Sequence, residues 1–404
     1  MAAPAFRPRP GGVTAPLGFL AGAVYAGLKQ PAPEQRDLGA LLSDRPCTAA
    51  ARFTTNRVVA APVVLSRARL ARGQPLRGAV FNAGNANACT GPEGLRAAEE
   101  MAALAAARLG VAPEELVVAS TGVIGVPLDM AKVRAGLARL EVSRDGGAAA
   151  ARAIMTTDLR PKEAAVELEL DGRPVTIGGM AKGSGMIHPT LATMLAFLTT
   201  DAPLARAEAD ALLGTAVDVS FNMITVDGDT STNDMVLLLA NGAAGGPPLS
   251  ATAMRQLGAA LTEVCVQLAR AIAADGEGAT RLLEVRVEGA RDIAAARRAA
   301  RTVAGSNLVK AAVYGGDPNW GRIMAALGRC GIDLDPDQVD IDIGPVPVAR
   351  GGRATAFDPA AARAALQPPE VRLRIHLHQG EGAATAWGCD LTEQYVAINS
   401  RYTT

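Results

Sequence analysis

Aromatic side chains are scarce in this chain: seven Phe, four Tyr and two Trp among 404 residues. Its 40 basic residues are cancelled by 40 acidic ones, so neither the positive field nor the stacking faces of a nucleic-acid binder are present. Histidine is scarcer still, with three residues, too few for comfortable histidine-based metal or triad chemistry. The five cysteines (Cys47, Cys89, Cys265, Cys330, Cys389) are odd in number, scattered and without C-x-x-C spacing. That excludes a zinc knuckle or a disulfide framework and leaves reduced, mostly buried thiols as the expectation. No uninterrupted apolar run reaches the roughly 18 residues of a membrane span; the nearest, Met235 to Ala244, is broken by Asn241 and Gly242. Arg7 and Arg9 are followed by Pro10-Gly11-Gly12 rather than by the apolar core of a signal peptide. A cytoplasmic protein with no membrane or nucleic-acid partner is expected.

What is abundant is apolar and small. Hydrophobic residues make up 49% of the chain, enough for more than one subdomain at this length. Residues 1–12, rich in Pro, Arg and Gly, read as a poorly ordered start. From Val13 onward, strand-like runs (Phe19 to Tyr25, Ala79 to Asn82, Leu116 to Ala119, Ala164 to Leu170) alternate with Ala-rich helical stretches at Gly94 to Leu109, Asp129 to Leu140 and Arg144 to Met155. Asp171-Gly172 marks a hairpin. Further on, helices are predicted over Leu204 to Val217, Ser250 to Ala274, Asp292 to Ala304, Asn319 to Leu327 and Pro359 to Leu366. Strands are predicted over Met235 to Ala240, Leu282 to Val287, Val339 to Ile343 and Val371 to His378. The grammar is α/β throughout, with no low-complexity linker and no tandem repeat.

The most informative stretch reads as a glycine-dense loop, from Gly178 through Gly179, Lys182, Gly183 and Gly185, running into Thr193, which opens an apolar segment. It lacks both GxxxxGK[ST] and GxGxxG spacing, so a phosphate cradle is disfavoured. A threonine hydroxyl is a weak nucleophile, and cutting the chain just before it supplies its own α-amino group as the adjacent base. A glycine-rich approach tolerates the unusual backbone that such a cut requires. Thr121-Gly122, after the strand Leu116 to Ala119, reads by itself as a turn. Lys182 reads by itself as a surface lysine, Thr156 as a helix end, Glu277 as part of a Gly-rich turn, and Asn399 and Thr404 as a frayed terminus. Asp227, Asp229, Asn233 and Asp234 cluster oxygen ligands, yet their spacing departs from a calcium loop, so no metal is expected. His376 and His378, on one face of a strand, read as structural, and His188 lies near the expected cut.

A set of motifs changes these readings. Asn82-Ala83-Gly84-Asn85-Ala86-Asn87-Ala88-Cys89-Thr90-Gly91, Ser120-Thr121-Gly122-Val123-Ile124-Gly125, Met155-Thr156-Thr157-Asp158, the segment Gly179 to Leu195 and Thr225 to Asp234 occur in order. They are followed by Asp275 to Thr280, Gly316 to Arg322 and Tyr395 to Thr404. Together they resemble the ornithine acetyltransferase family, whose bifunctional members combine glutamate N-acetyltransferase and amino-acid acetyltransferase activities. The resemblance implies a compact α/β fold of sandwiched sheets and helices, cut between Ala192 and Thr193 into segments 1–192 and 193–404. These would stay associated as two alpha and two beta chains. It implies Thr193 as nucleophile and the Thr121 hydroxyl and Gly122 amide as the oxyanion hole. Thr156, Lys182, Thr193, Glu277, Asn399 and Thr404 are implied as substrate contacts.

The expected reaction is ping-pong acetyl transfer. Thr193 takes the acetyl group of N-acetylornithine, ornithine leaves, and glutamate collects the acetyl from the threonine ester, without a cofactor. Acetyl-CoA is a second acetyl donor in bifunctional members, a property these residues do not separate from monofunctional activity. Two rivals stand beside this reading. One is a self-processing amidase or aminopeptidase in which water accepts the acyl group, and the other is a specialised-pathway or non-catalytic paralogue.

Overall fold

The computed structural model describes residues 6–29, 35–188 and 194–401. Strand β1 (Arg7–Pro8) is followed by β2 (Phe19–Val24), the long β3 (Leu38–Phe53), helix α1 (Ala61–Ala71), β4 (Leu76–Asn85), α2 (Gly91–Leu109) and β5 (Leu116–Val123). Then come α3 (Met130–Leu137), α4 (Gly147–Ala153), β6 (Lys162–Leu170), β7 (Arg173–Lys182), β8 (Leu195–Thr200), α5 (Arg206–Asp218), β9 (Met235–Ala240) and α6 (Ala251–Ala274). The chain continues through β10 (Leu282–Ala290), α7 (Ile293–Ala304), α8 (Asn307–Gly315), α9 (Trp320–Gly328), β11 (Asp340–Ile343), β12 (Val346–Arg350) and β13 (Arg353–Ala354). It closes with α10 (Pro359–Ala364), β14 (Glu370–His376), β15 (Gly382–Cys389) and α11 (Glu393–Arg401).

Two sheets result. The larger has the order β1-β6-β7-β8-β9-β3-β4-β5, with β2 also paired to β3; the smaller runs β13-β12-β11-β14-β10-β15. Strand β3 turns the larger sheet back on itself: Leu38 to Leu42 pair with β4, and Thr48 to Phe53 pair with β9. The two halves therefore face each other. Alternation along β8 and β9 sends Leu195, Phe197, Met235, Leu237 and Leu239 into the core between the halves, where they meet Phe19, Leu41 and Phe81. The intervening Ala196, Leu198, Val236 and Leu238 face the opposite side, where α5 and α6 pack. Burial on both faces is why these strands read as continuous apolar runs rather than as alternating ones. Helices α2 and α3 close the other outer face over β4 and β5, so the layers run helix, sheet, sheet, helix. The smaller sheet packs beyond α6.

Helix α6 is long and apolar enough to cross a membrane by length and composition. Here it is a core helix, in contact with β6 and β7 on one side and β10 and β15 on the other. Its start is fixed twice: Ser250 Oγ accepts from Ala253 N–H at 3.2 Å, and Asp171 in the β6–β7 turn accepts from both the Ser250 amide and hydroxyl.

Three expectations need correction. The N-terminal residues from Arg7 are ordered: Arg7 and Pro8 pair with β6, and Arg9 N–H donates to Ala165 C=O at 2.9 Å. Gly178 to Lys182 is not loop but the end of β7, paired with both β6 and β8. The two corrections share a cause, because a Cβ on Gly178 would lie 2.0 Å from the Gly12 carbonyl oxygen. The glycine is the seat of the N-terminal segment. Finally, His378 lies beyond β14 with φ of 54°, and its Nε2 sits 2.9 Å from Asp340 Oδ2. Of the cysteines, Cys89 is exposed and the other four are buried and free.

Gly178→Ala is expected to unseat residues 6–12, with loss of roughly 1–3 kcal/mol, the usual range for overpacking. Urea denaturation reads the loss and hydrogen exchange at the Arg9 amide reads the unseating. Unchanged protection there would mean that the segment does not depend on the glycine.

Candidate active site

One cleft collects Thr121, Gly122, Thr156, Lys182, Glu277 and Asn399, together with Ala86, Ile124, Gly185, Met186 and Ser231 to Asn233. Each element delivers its residue for a local reason. Thr121 and Gly122 come from the end of β5, which runs parallel to β4 until the register breaks at Gly84 and Asn85. Gly122 has φ of +132°, and a Cβ there would lie 2.3 Å from the Gly84 carbonyl carbon. No other residue fits that approach without moving β4. Asn233 ties this edge to the second half of the chain, its Nδ2 donating to Ala86 C=O at 2.6 Å and to Ser120 C=O at 2.9 Å.

Lys182 ends β7. It is buried, and its Nζ donates to Thr121 Oγ1 at 3.3 Å. Burial pushes its pKa below the ordinary lysine value; the Asp158 carboxylate opposes that shift, as do Asp234 and Glu277, while Lys162 adds to it. Behind it lies an ion network: Lys162 Nζ sits 2.7 Å from Asp158 Oδ1 and 2.6 Å from Asp275 Oδ2, with all three side chains buried. Asp158 Oδ1 also accepts from Gly183 N–H at 2.8 Å, and its Oδ2 from Thr156 N–H at 2.9 Å. Burial would raise the Asp158 pKa, but the Lys182 and Lys162 charges overcome it and hold the group at about 2. On the far side, Asp275 C=O accepts from the Ser184 hydroxyl at 2.6 Å, and Glu277 N–H donates to Ser184 C=O at 3.0 Å. Lys162 thus couples the strand end carrying Lys182 and the turn carrying Thr156 to the loop carrying Glu277.

Glu277 Oε2 accepts from Asn399 Nδ2 at 2.7 Å, so α11 reaches the cleft through Asn399. Ala192, Thr193 and Thr404 lie outside the described residues. Lys182 pairs with Leu195 across β7 and β8, so the chain between them, which contains Thr193, leaves and rejoins the sheet beside the cleft. Of the acids weighed as metal ligands, Asp227 accepts from Met186 and Ile187 N–H, and Asp234 accepts through Oδ1 from Met194 N–H. Among the described residues no group of three His, Cys, Asp or Glu could hold a metal. His188 Nδ1 lies 3.2 Å from Thr225 Oγ1, and burial lowers its pKa.

Sequence reasoning missed Lys162 and Asn233 as site-building residues. Lys162 opens a strand of alternating charge and looks solvated, and only the fold shows it between two buried carboxylates. Lys162→Met should destabilise the protein by roughly 3–5 kcal/mol, because two buried charges lose their partner. Adding Asp158→Asn and Asp275→Asn should recover much of that in urea denaturation. A single variant as stable as the parent would remove the network from the account.

The family model described as the ArgJ family matches residues 20–404. The arginine biosynthesis bifunctional protein ArgJ of Symbiobacterium thermophilum is 56% identical over 398 residues, covering 98% of this chain and 99% of the relative. The protein of the same name from Dehalococcoides mccartyi is 49% identical over 396 residues, 98% of each. Among solved structures, a chain of the arginine biosynthesis bifunctional protein from Bacillus halodurans is 43% identical with a TM-score of 0.50. It matches 51% of this chain and 98% of its own length. Matched nearly end to end by the family model and by relatives at about half identity, the chain belongs to the ArgJ family, the acetyltransferases of arginine biosynthesis.

Proposed function

We propose that the chain is a glutamate N-acetyltransferase that cuts itself between Ala192 and Thr193 and moves acetyl from N-acetylornithine to glutamate through an acetyl-Thr193 ester. The observation carrying this reading is the convergence of Thr121, Gly122, Thr156, Lys182, Glu277 and Asn399 on one cleft, beside the chain that joins β7 to β8. Thr193 Oγ attacks the acetyl carbonyl carbon, and negative charge builds on the carbonyl oxygen. The Thr121 hydroxyl and Gly122 amide are the donors for that charge. Lys182 adds a cation whose lowered pKa reflects the dry cleft. Ornithine and glutamate share an α-carboxylate and an α-nitrogen and differ in side-chain charge, so the site must read the shared end. Glu277 with Asn399 suits the nitrogen, and Lys182 with Thr404 suits the carboxylate.

The exchange conserves one amide through one ester and needs neither redox chemistry nor nucleotide, so it runs without cofactor. Acetyl-CoA enters this reading as a second acetyl donor, in keeping with the bifunctional names of the relatives. The cut would leave segments 1–192 and 193–404 joined by six β7–β8 residue pairs, Ile177 with Thr200 through Lys182 with Leu195. The Bacillus halodurans chain, about half as long as this one, supports a cut product. Two copies of each segment, in the cytoplasm, complete the proposal.

Intact mass should give two species of 192 and 212 residues, the lengths on either side of the cut, and they should co-elute. N-acetylornithine with labelled glutamate should give labelled N-acetylglutamate and free ornithine without metal, nucleotide or acetyl-CoA. Thr121→Ala should lower kcat by roughly 10² to 10³, the usual effect of losing one oxyanion donor. Glu277→Gln should weaken exchange while leaving the cut intact. Acetate in place of N-acetylglutamate would make water the acceptor and the protein an amidase.

A further inference from the structure

Strand β5 ends the larger sheet, with β4 on one side and, among the described residues, no strand on the other. Within a strand, the N–H and C=O of one residue point to one edge and those of the next residue to the opposite edge. Leu116, Val118 and Ser120 turn to the free edge, and each meets a side chain there. Leu116 C=O accepts from Arg69, and Val118 is closed by Ser66, whose Oγ donates to its C=O at 2.8 Å and accepts from its N–H at 2.9 Å. Ser120 C=O accepts from Asn233 Nδ2 at 2.9 Å. Val123 faces the other way, its C=O accepting from Ala86 N–H at 2.9 Å. Alternation from both flanks therefore puts the Gly122 N–H on the free edge, one position beyond the Asn233 cap, at the wall of the cleft.

The polar atoms of the Asn233 side chain are all committed. One Nδ2 hydrogen goes to Ser120 C=O and the other to Ala86 C=O at 2.6 Å, while Oδ1 accepts from the Thr232 hydroxyl at 2.5 Å. Asn233 is buried and lines the cleft, yet it has no side-chain hydrogen left to offer a substrate. It stands two residues before Met235, which opens β9 opposite Leu195 of β8, so it fixes the end of β5 against the central strands. Ser120 is held a second time by its own side chain: Oγ donates to Asn82 Oδ1 at 2.6 Å, and Asn82 Nδ2 donates to Asn85 C=O at 2.9 Å. The peptide leading into Thr121 is thereby pinned through both its carbonyl and the preceding side chain. A bare Ser120 carbonyl would set the negative end of a dipole beside the oxygen on which charge builds, and in a buried cleft that repulsion is weakly screened.

We propose that Asn233 is the positioning residue of the oxyanion hole. By closing the Ser120 and Ala86 carbonyls it aims the end of β5 so that Gly122 N–H and the Thr121 hydroxyl present donors, and no acceptor, to the acetyl oxygen. Thr121 Oγ1 already accepts from Lys182 Nζ at 3.3 Å, which leaves its own hydrogen for that oxygen. The assignment rests on the reading of Thr121 and Gly122 as oxyanion donors. It adds a residue of the second half of the chain that acts on the reaction only through the first.

Exchange between N-acetylornithine and labelled glutamate tests it, with kcat counted per mole of cut protein by intact mass. Asn233→Ala should lower kcat by on the order of 10²-fold, the usual cost of a displacement of about 1 Å at a reacting group, while KM stays within about threefold. The loss should be coupled to Thr121: Asn233→Ala with Thr121→Ala should cost at least ~10-fold less than the product of the two single losses. Ser66→Ala, which opens the same edge away from the cleft, should lower Tm and keep the parent kcat; a matching kcat loss there would make edge capping a matter of stability alone. Asn233→Ala with parent kcat, with its loss in KM, or with losses that multiply would overturn the assignment and leave the oxyanion reading standing. Parent kcat in Thr121→Ala would overturn both. Should Asn233→Ala fail to fold or to be cut, Asn233→Ser, whose hydroxyl can close only one of the two carbonyls, decides by the same split: a coupled kcat loss supports positioning, and parent kcat refutes it.

Discussion

Pairing of β7 with β8 is the interaction on which the rest of the structure depends. Ile177 to Lys182 meet Leu195 to Thr200 residue for residue in antiparallel register, and both strands are buried on two faces. The end of the sheet at which β7 stops and β8 starts is also where β5, the turn after α4 and the loop after α6 arrive. A site assembled there inherits the rigidity of the central strands, and the chain linking the two strands can change covalently without disturbing their pairing. Backbone hydrogen bonds between adjacent strands do not require an unbroken covalent link at one end. The same pairing explains why glycines crowd this region. Gly178 admits the Gly12 carbonyl on one face, and a Cβ on Gly179 would meet Leu198 and Leu268 at 2.9 Å on the other.

Electrostatics within the cleft follow from burial. Lys182 and Lys162 are two cations set among Asp158, Asp275, Asp234 and Glu277, and all six residues are buried. Asp158 is held ionised, its pKa at about 2, because the two lysines overcome its own desolvation. Asp234 goes the other way, because burial outweighs the Met194 amide, the Lys182 charge and the Ser231 and Thr54 hydroxyls. Two buried aspartates behind one cleft are thereby driven apart in proton affinity by their different neighbours.

Much of the fold was legible because local chemistry and tertiary demand agree. Helix α6 announces itself by the Ser250 cap and its apolar stripe, and the β6–β7 hairpin by Asp171-Gly172. Strand β3 was not legible: Asp44-Arg45-Pro46 interrupts it, and proline argues against a central strand. The structure accommodates Pro46 where the β3–β4 register shifts, between Leu42 and Cys47, the kind of irregularity at which proline is tolerated. Helix α11 offers no signal either, since none of its residues is buried and an amphipathic period needs a core to face. Gly178 to Lys182 was misread as loop because glycine density marks close packing as readily as it marks turns.

For the site, the residues that touch the cleft were reachable through family motifs, whereas those that hold it in place were not. Thr121, Lys182 and Glu277 stand inside ordered motifs that specify their neighbours. Lys162 has no local mark, because its meaning depends on two carboxylates, one four residues away and the other more than a hundred. Asp234 is visible in sequence only as one acid in a polar run, where a metal is the natural first thought. What distinguishes it is its register against Met194, and register is a property of paired strands that no single segment contains.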